Sequence, residues 1–203
     1  MSLRRISVSM RAMRTACSDV LAVSLLHAGM RSEPTFRYYF ANRRVTGTAA
    51  LWLFMWDEVA WRRRTGGLVV KLPLVALVGR DENAQLPVEA LNRLTRWLCK
   101  HQGRPFTDRW ARVEEDWRSE IPSCCIYISA VTVARPWRAR GVASRWLDGL
   151  DRRTPIYLET GSGANRRWYL RRGFEECQQF TLPQGPVVSV LARQRDGGRT
   201  KEI

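Results

Sequence analysis

Apolar residues recur at helical spacing in the first half of the chain and collect into short strand-like runs in the second. Arg5–Val8 alternates weakly, which predicts a short first strand. Thr15–Gly29 carries Val20, Val23, Leu26 and His27 at helical spacing, with Gly29 as a stop. Pro34 opens another helical piece, holding Phe36, Tyr39 and Phe40. Thr48–Arg64 places Trp52, Met55, Trp56 and Val59 at i, i+3, i+4 and i+7. It closes on three arginines, Arg62 to Arg64, which suit a helix C-terminus, followed by Gly66-Gly67. Leu68–Leu72 and Leu74–Gly79, split by Pro73, read as two strands or one broken strand. Pro87–Gln102 is helical by the spacing of Val88, Leu91, Leu94 and Leu98. Asp108–Ser119 is a shorter, more charged helix with Trp110 and Trp117 on one face.

From Cys124 the pattern sharpens. Cys124–Val133 is a strand bounded by Arg135-Pro136, Ala143–Asp151 a helix, Ile156–Thr160 a strand and Ala164–Arg171 a helix. Phe174–Leu182 and Val187–Arg193 form a closing hairpin around Pro183-Gln184-Gly185-Pro186. Strands interleaved with helices imply an α/β or α+β sheet domain, and no internal repeat is present. The 203 residues suit one large domain. Arg193–Ile203 is polar, charged and Gly-containing, as expected of a flexible basic tail.

Charge leaves the partner open. A net charge of +15 fits nucleic acid, an anionic surface, an acidic cofactor or simply high arginine usage. The arginines are scattered in pairs at helix ends and loops, which favours a solvated basic surface. No zinc-finger spacing or RNA-binding aromatic signature accompanies them. The five cysteines are odd in number and lack metal-ligand spacing, so reduced thiols in a cytoplasmic protein are expected. Only His27 and His101 are available to activate a thiol or bind a metal, and neither sits in a motif, so no metal is expected. No apolar run approaches the ~18 residues of a membrane span. Arg4, Arg5, Arg11 and Arg14 faintly resemble a transit peptide, but a first strand and helix account for the segment better.

Candidate chemistry concentrates between Ser129 and Phe174. An apolar strand runs into Arg138-Ala139-Arg140-Gly141-Val142-Ala143 and a helix follows at once. Such a junction aims backbone N–H groups at one spot that attracts phosphate. A second strand follows, then a segment carrying Asn165 and Tyr169 and closing at Gly173-Phe174. The order points to a pyrophosphate-bearing cofactor between two strands, with a phenol nearby to move a proton.

These residues resemble the GNAT superfamily of acyl-CoA-dependent N-acyltransferases. The family pattern Gln/Arg-x-x-Gly-x-Gly/Ala stands here as Arg138-x-x-Gly141-x-Ala143, after Val131-Thr132-Val133. The family's Asn…Tyr…Gly-Phe ending stands as Asn165, Tyr169, Gly173 and Phe174. From Cys125 onward the pattern is most similar to puromycin N-acetyltransferase-like members, through Leu158-Glu159-Thr160 and Leu182-Pro183-x-Gly185-Pro186. The chain departs in having Ala139 and Ala143 where those members carry glycine. If position 139 requires a left-handed residue, alanine resists it.

The resemblance implies a GNAT fold: a mixed, mostly antiparallel sheet splayed between its fourth and fifth strands and flanked by helices. It implies a single domain over residues 1–192, with an acceptor-binding half (1–120) and an acetyl-CoA-binding half (121–192). The N–H groups of Arg138, Ala139, Arg140, Gly141, Val142 and Ala143 would hold the pyrophosphate. Val131, Thr132 and Val133 would pair with pantetheine, and Asn165 would hydrogen-bond pantetheine or backbone. An amine with a pKa of about 8–10 must lose a proton before attacking a thioester directly through a tetrahedral intermediate. Val133 N–H is the implied oxyanion donor, and Tyr169 either protonates the leaving thiolate or packs as an aromatic wall. Glu159 is the candidate base, or else an orienting carboxylate; Glu33 and Asp57 are further candidates, as is an ordered water. The expected acceptor is a small-molecule primary amine, under Phe36–Phe40 and Trp52–Trp56, with the protein a monomer or homodimer. Protein or tRNA amines are the alternative acceptors, and a non-catalytic CoA-binding module is the alternative to an enzyme.

Overall fold

The computed structural model describes residues 3–40, 44–80, 86–100, 124–151 and 153–194. The expected helix at Asp108–Ser119 and the tail beyond residue 194 lie outside them.

The chain opens with helix α1 (Leu3–Met30), followed by α2 (Pro34–Phe40) and α3 (Arg44–Arg64). Arg5–Val8 therefore lies inside α1 and is not a strand. Four weakly alternating residues carry too little apolar contrast to outweigh the helical spacing that continues from them. Ala22, Val23 and Leu26 form the buried stripe of α1, while Val20 is half exposed. Strands β1 (Leu68–Lys71) and β2 (Leu74–Arg80) follow. A 3-10 turn (Val88–Ala90) and α4 (Arg93–Lys100) come next, in place of one long helix from Pro87. Asn92 starts α4 by accepting Thr95 N–H on its side chain. Asp57 of α3 in turn accepts both Asn92 N–H and its amide. Then come β3 (Ile126–Val133), α5 (Val142–Asp148), β4 (Ile156–Thr160), α6 (Gly163–Leu170), β5 (Glu175–Thr181) and β6 (Val187–Arg193).

The strands form one sheet in the order β1-β2-β3-β4-β6-β5. All pairs are antiparallel except β3 with β4, and that pair holds for only Ile126–Ile156, Tyr127–Tyr157 and Ile128–Leu158. Beyond Ile128 the two strands part. The splay therefore falls between the third and fourth strands, since the expected first strand is helical.

A β-bulge marks the parting point. On β2, Leu77 and Val78 are consecutive, yet they face Ala130 and Ile128, so Ser129 is an extra residue in β3. A bulge bends its strand and sharpens the local twist. It also switches which side chains face which way. Ile126 and Ile128 pack with Leu147, Leu158 and Tyr169 in a core beneath α5 and α6. Past the bulge, Ala130 joins the opposite core, made by α1, α2 and α3.

Candidate active site between the parted strands

The gap between β3 and β4 is a cleft of about 660 Å³ that runs through the sheet. One side is built by the β3–α5 turn and α6, the other by the α1–α2 corner and the inner ends of β5 and β6. Val131, Val133, Arg138, Ala139, Gly141, Val142, Ala143, Glu159, Asn165 and Tyr169 all line it. Ten residues named from sequence thus meet around one space. Thr132 and Arg140 do not line it. Thr132 is buried against α1, where a Cβ on Gly29 would lie 2.3 Å from its Oγ1; Gly29 allows that approach. Arg140 stacks 5.2 Å from the Trp137 ring centroid, and its carbonyl accepts from Arg145 Nη1 at 3.1 Å.

The exposed edge of β3 follows from ladder arithmetic. Antiparallel partners alternate between bonded and non-bonded pairs. Ala134 N–H donates to Pro73 carbonyl at 2.9 Å, so the Ala134–Pro73 pair is bonded and the next pair, Val133–Leu74, is not. The backbone groups of Val133, and of Val131 two residues back, therefore point away from β2, toward the side β4 has left. Val133 carbonyl accepts from Arg138 Nε at 3.0 Å, leaving its N–H aimed at the cleft.

The turn below this edge is left-handed at two positions. Ala139 has φ +60° and Gly141 has φ +73°. Alternating hand along consecutive residues turns successive N–H groups toward one side, the geometry of an anion cradle. Position 139 does take the left-handed conformation, and it does so with an alanine. Ala143 lies within α5 and needs no such conformation.

Tyr169 enters from the α6 side. Its ring sits edge-on between Trp168, at 4.7 Å, and Phe174, at 5.2 Å. The turn through Gly173 brings Phe174 back, and Phe174 N–H donates to Tyr169 carbonyl. Burial pushes the phenol well above its ordinary range, against a smaller opposing pull from Arg172. The hydroxyl is thus held protonated. Arg172 lies 3.9 Å over Trp168 and donates to Ser144 Oγ at 2.6 Å, pinning the end of α6 to the start of α5.

Glu159 enters from the opposite face. Tyr127 Oη donates to Glu159 Oε1 at 2.8 Å. Tyr127 carried no signal in the sequence, because the bulge hides which face a β3 residue serves. Glu33 is engaged as the N-cap of α2. It accepts Thr35 N–H at 2.7 Å and Phe36 N–H at 3.1 Å, and also Gly161 N–H at 2.9 Å from the β4–α6 turn. Asp57 serves the start of α4 and does not line the cleft. Phe36, Tyr39, Phe180 and Val188 make the apolar wall on this side. Trp52 and Trp56 stack on each other at 5.5 Å and lie outside the cleft.

A six-stranded mixed sheet, flanked by helices and parted between β3 and β4, is the GNAT acetyltransferase fold. No protein-family model matches the sequence, and no curated protein matches it. Solved structures do resemble it in fold. A histone acetyltransferase HPA2-related acetyltransferase from Corynebacterium glutamicum superposes with a TM-score of 0.62 at 18% identity, over 88% of this chain and 92% of that one. The C-terminal condensation domain of Ebony, in complex with beta-alanyl-dopamine, gives 0.60 at 9% identity, over 84% and 91%. Arylalkylamine N-acetyltransferase 2 from Aedes aegypti gives 0.51 at 11% identity, over 86% and 94%. No group of metal-ligating side chains occurs among the described residues, and no described helix is long and apolar enough to cross a membrane. No disulfide joins any of the five cysteines.

Proposed function

We propose that this chain is an acetyl-CoA-dependent N-acetyltransferase acting on a small, apolar or aromatic primary amine. The observation that carries the reading is the cleft itself. An open β3 edge and a left-handed turn approach it from one side of the sheet, and a carboxylate set in an aromatic wall approaches from the other. The residues present fit acetyl-CoA. The cleft volume lies within the ~300–1,000 Å³ of small-molecule sites. The turn amides with Arg138 suit a pyrophosphate, and the Val131 and Val133 edge suits the amides of a pantetheine arm, with Asn165 beside it. Acetyl-CoA supplies the activated acyl group as a thioester.

This chain's residues supply the rest. Glu159 accepts a proton from the incoming ammonium. Val133 N–H donates to the acyl oxygen as charge grows on it. Tyr169, kept protonated by burial, gives its proton to the departing sulfur. Phe36, Tyr39 and Phe180 favour an apolar amine body over a polyamine, which would need several acceptors where the described wall offers one carboxylate not committed to a helix cap. The fold likeness to acetyltransferases supports the reading, and the scattered arginines leave a macromolecular acceptor without a defined surface.

Calorimetric titration with acetyl-CoA should show saturable binding. Thiol release should then follow on mixing with arylalkylamines, and more weakly with spermidine. Absence of binding at millimolar acetyl-CoA would refute the proposal.

A further inference from the structure

The carboxylate on the acceptor side is not held by its own strand. Tyr127 stands on β3, level with Tyr157 of β4, and reaches forward past the last paired residues to Glu159. If packing were its only role, phenylalanine would serve; a buried hydroxyl is costly unless bonded. Behind Tyr127 lies a second buried pair. Arg62 of α3 is wholly inaccessible and donates from Nε to Glu58 Oε2 at 3.2 Å, and from Nη1 to Val78 carbonyl at 3.3 Å. Glu58, Tyr127 and Ser129 share the wall of a small cavity of about 30 Å³, room for one bridging water. An ion pair this deep is weak evidence for stability, because desolvation offsets its attraction.

We propose that Tyr127 is the positioning residue of Glu159: its phenol fixes the carboxylate toward the acceptor side of the cleft. The role deepens the acetyltransferase reading, on which the catalytic meaning of Glu159 rests. The phenol can only donate to Glu159, since burial and the adjacent Glu159 carboxylate hold it far above its ordinary range. A hydrogen-bond donor to a carboxylate favours its ionised form. The other ionisable groups near Glu159 come from several elements. Glu33 and Tyr39 face the cleft from the α1–α2 corner and α2, Tyr169 from α6, Arg171 and Arg172 from the turn after it, and Arg138 from the β3–α5 turn. β6 places uncharged Val190 opposite Glu159. Tyr127 is the group bonded to Glu159 Oε1, at 2.8 Å, from the neighbouring strand.

The test reads Glu159 directly. The protein is labelled with carboxyl-13C glutamate, and the Glu159 resonance is assigned by its loss in Glu159→Gln. Tyr127→Phe should raise the pKa of Glu159 by about one pH unit, the worth of a hydrogen bond to a charged acceptor. Tyr157→Phe, in the same buried layer, should leave it in place. Replacing Tyr127 with 3,5-difluorotyrosine, a stronger donor of unchanged shape, should lower it, and this variant covers the case in which Tyr127→Phe does not fold. An unmoved Glu159 resonance in either variant overturns the proposal. In turnover, Tyr127→Phe should cut kcat about tenfold, shift the acidic limb of the kcat profile upward, and leave the KM for acetyl-CoA unchanged. Lack of turnover in the wild type would sink the acetyltransferase reading alone, since the resonance measurement needs no substrate.

Discussion

Replacing each of two alanines by glycine should move stability in opposite directions. Ala139 has φ +60°, where an L-residue crowds its own carbonyl at a cost of about 1–2 kcal/mol. Glycine removes that cost but gains freedom in the unfolded chain, a loss of about 0.4–1 kcal/mol to the folded state. Ala139→Gly should therefore stabilise by roughly 0.5–1 kcal/mol. Ala143 is the second residue of α5 and has helical geometry. There glycine brings only its entropy, so Ala143→Gly should destabilise by about 0.5–1 kcal/mol. A chain of this length shifts its melting point by ~2–4 °C per kcal/mol. Calorimetric melting should thus place Ala139→Gly about 1–4 °C above the parent and Ala143→Gly a similar interval below. Equal signs for the two variants would refute the assignment of a left-handed turn at 139. Because the cradle keeps its shape in Ala139→Gly, its affinity for acetyl-CoA should stay within about threefold of the parent, a ~0.7 kcal/mol window.

Tyr169→Phe should lower kcat by at least ~100-fold with acetyl-CoA affinity unchanged by calorimetry, as expected for loss of a general acid; in the parent, the raised phenol pKa places the loss of that acid above pH 10. Glu33→Ala removes the acceptor shared by the start of α2 and Gly161, and should cost about 1–2 kcal/mol in urea denaturation. Arg166 holds the Glu176 carboxyl down to about 2 through a paired hydrogen bond on a largely solvated surface. A depressed carboxyl stabilises above its unfolded pKa and ceases to as pH falls through the folded value. Glu176→Gln should therefore cost ~0.5–1 kcal/mol at pH 7, with the difference from the parent closing between about pH 4.5 and pH 2.

What could be read from the sequence was set by how locally each element is determined. β4 begins and ends where its β-branched and apolar run does, at Ile156 and Thr160. α2 begins at Pro34, and the β5–β6 hairpin closes around Pro183 to Pro186, because proline and glycine punctuate both. The cleft wall from Val131 to Ala143 and on to Tyr169 was likewise within reach, being one strand–turn–helix and its neighbour. The misreadings came from weak local signals overruled by distant ones. Pro87 suggested a helix start, yet the start is Asn92, held by Asp57 of α3; Asn92 with Thr95 three residues on was the sequence cue. Val20 and Trp52 match a helical period but sit at its exposed margin, since periodicity fixes a stripe without fixing its centre. Tyr127, Glu58 and Arg62 were invisible. Their meeting depends on which face β3 presents, and that is decided by pairing with β2.

The bulge at Ser129 ties these observations to one cause. An unbulged β3 would continue its parallel ladder with β4, satisfying the backbone groups of Val131 and Val133 and closing the cleft. It would also keep one parity along its length. With one extra residue, Tyr127 before the bulge and Ala130 and Thr132 after it all point to the face covered by α1 to α3, while Val131 turns back toward α5 and α6. The strand thereby offers a phenol to one face of the sheet and a bare edge to the cleft within a few residues of each other. In the proposed reaction, acid and base approach from opposite faces: Tyr169 from α6, Glu159 from the layer of Tyr127. The proton leaving the amine and the proton reaching the sulfur are therefore handled, in that proposed reaction, by groups that enter the cleft from opposite faces of the sheet.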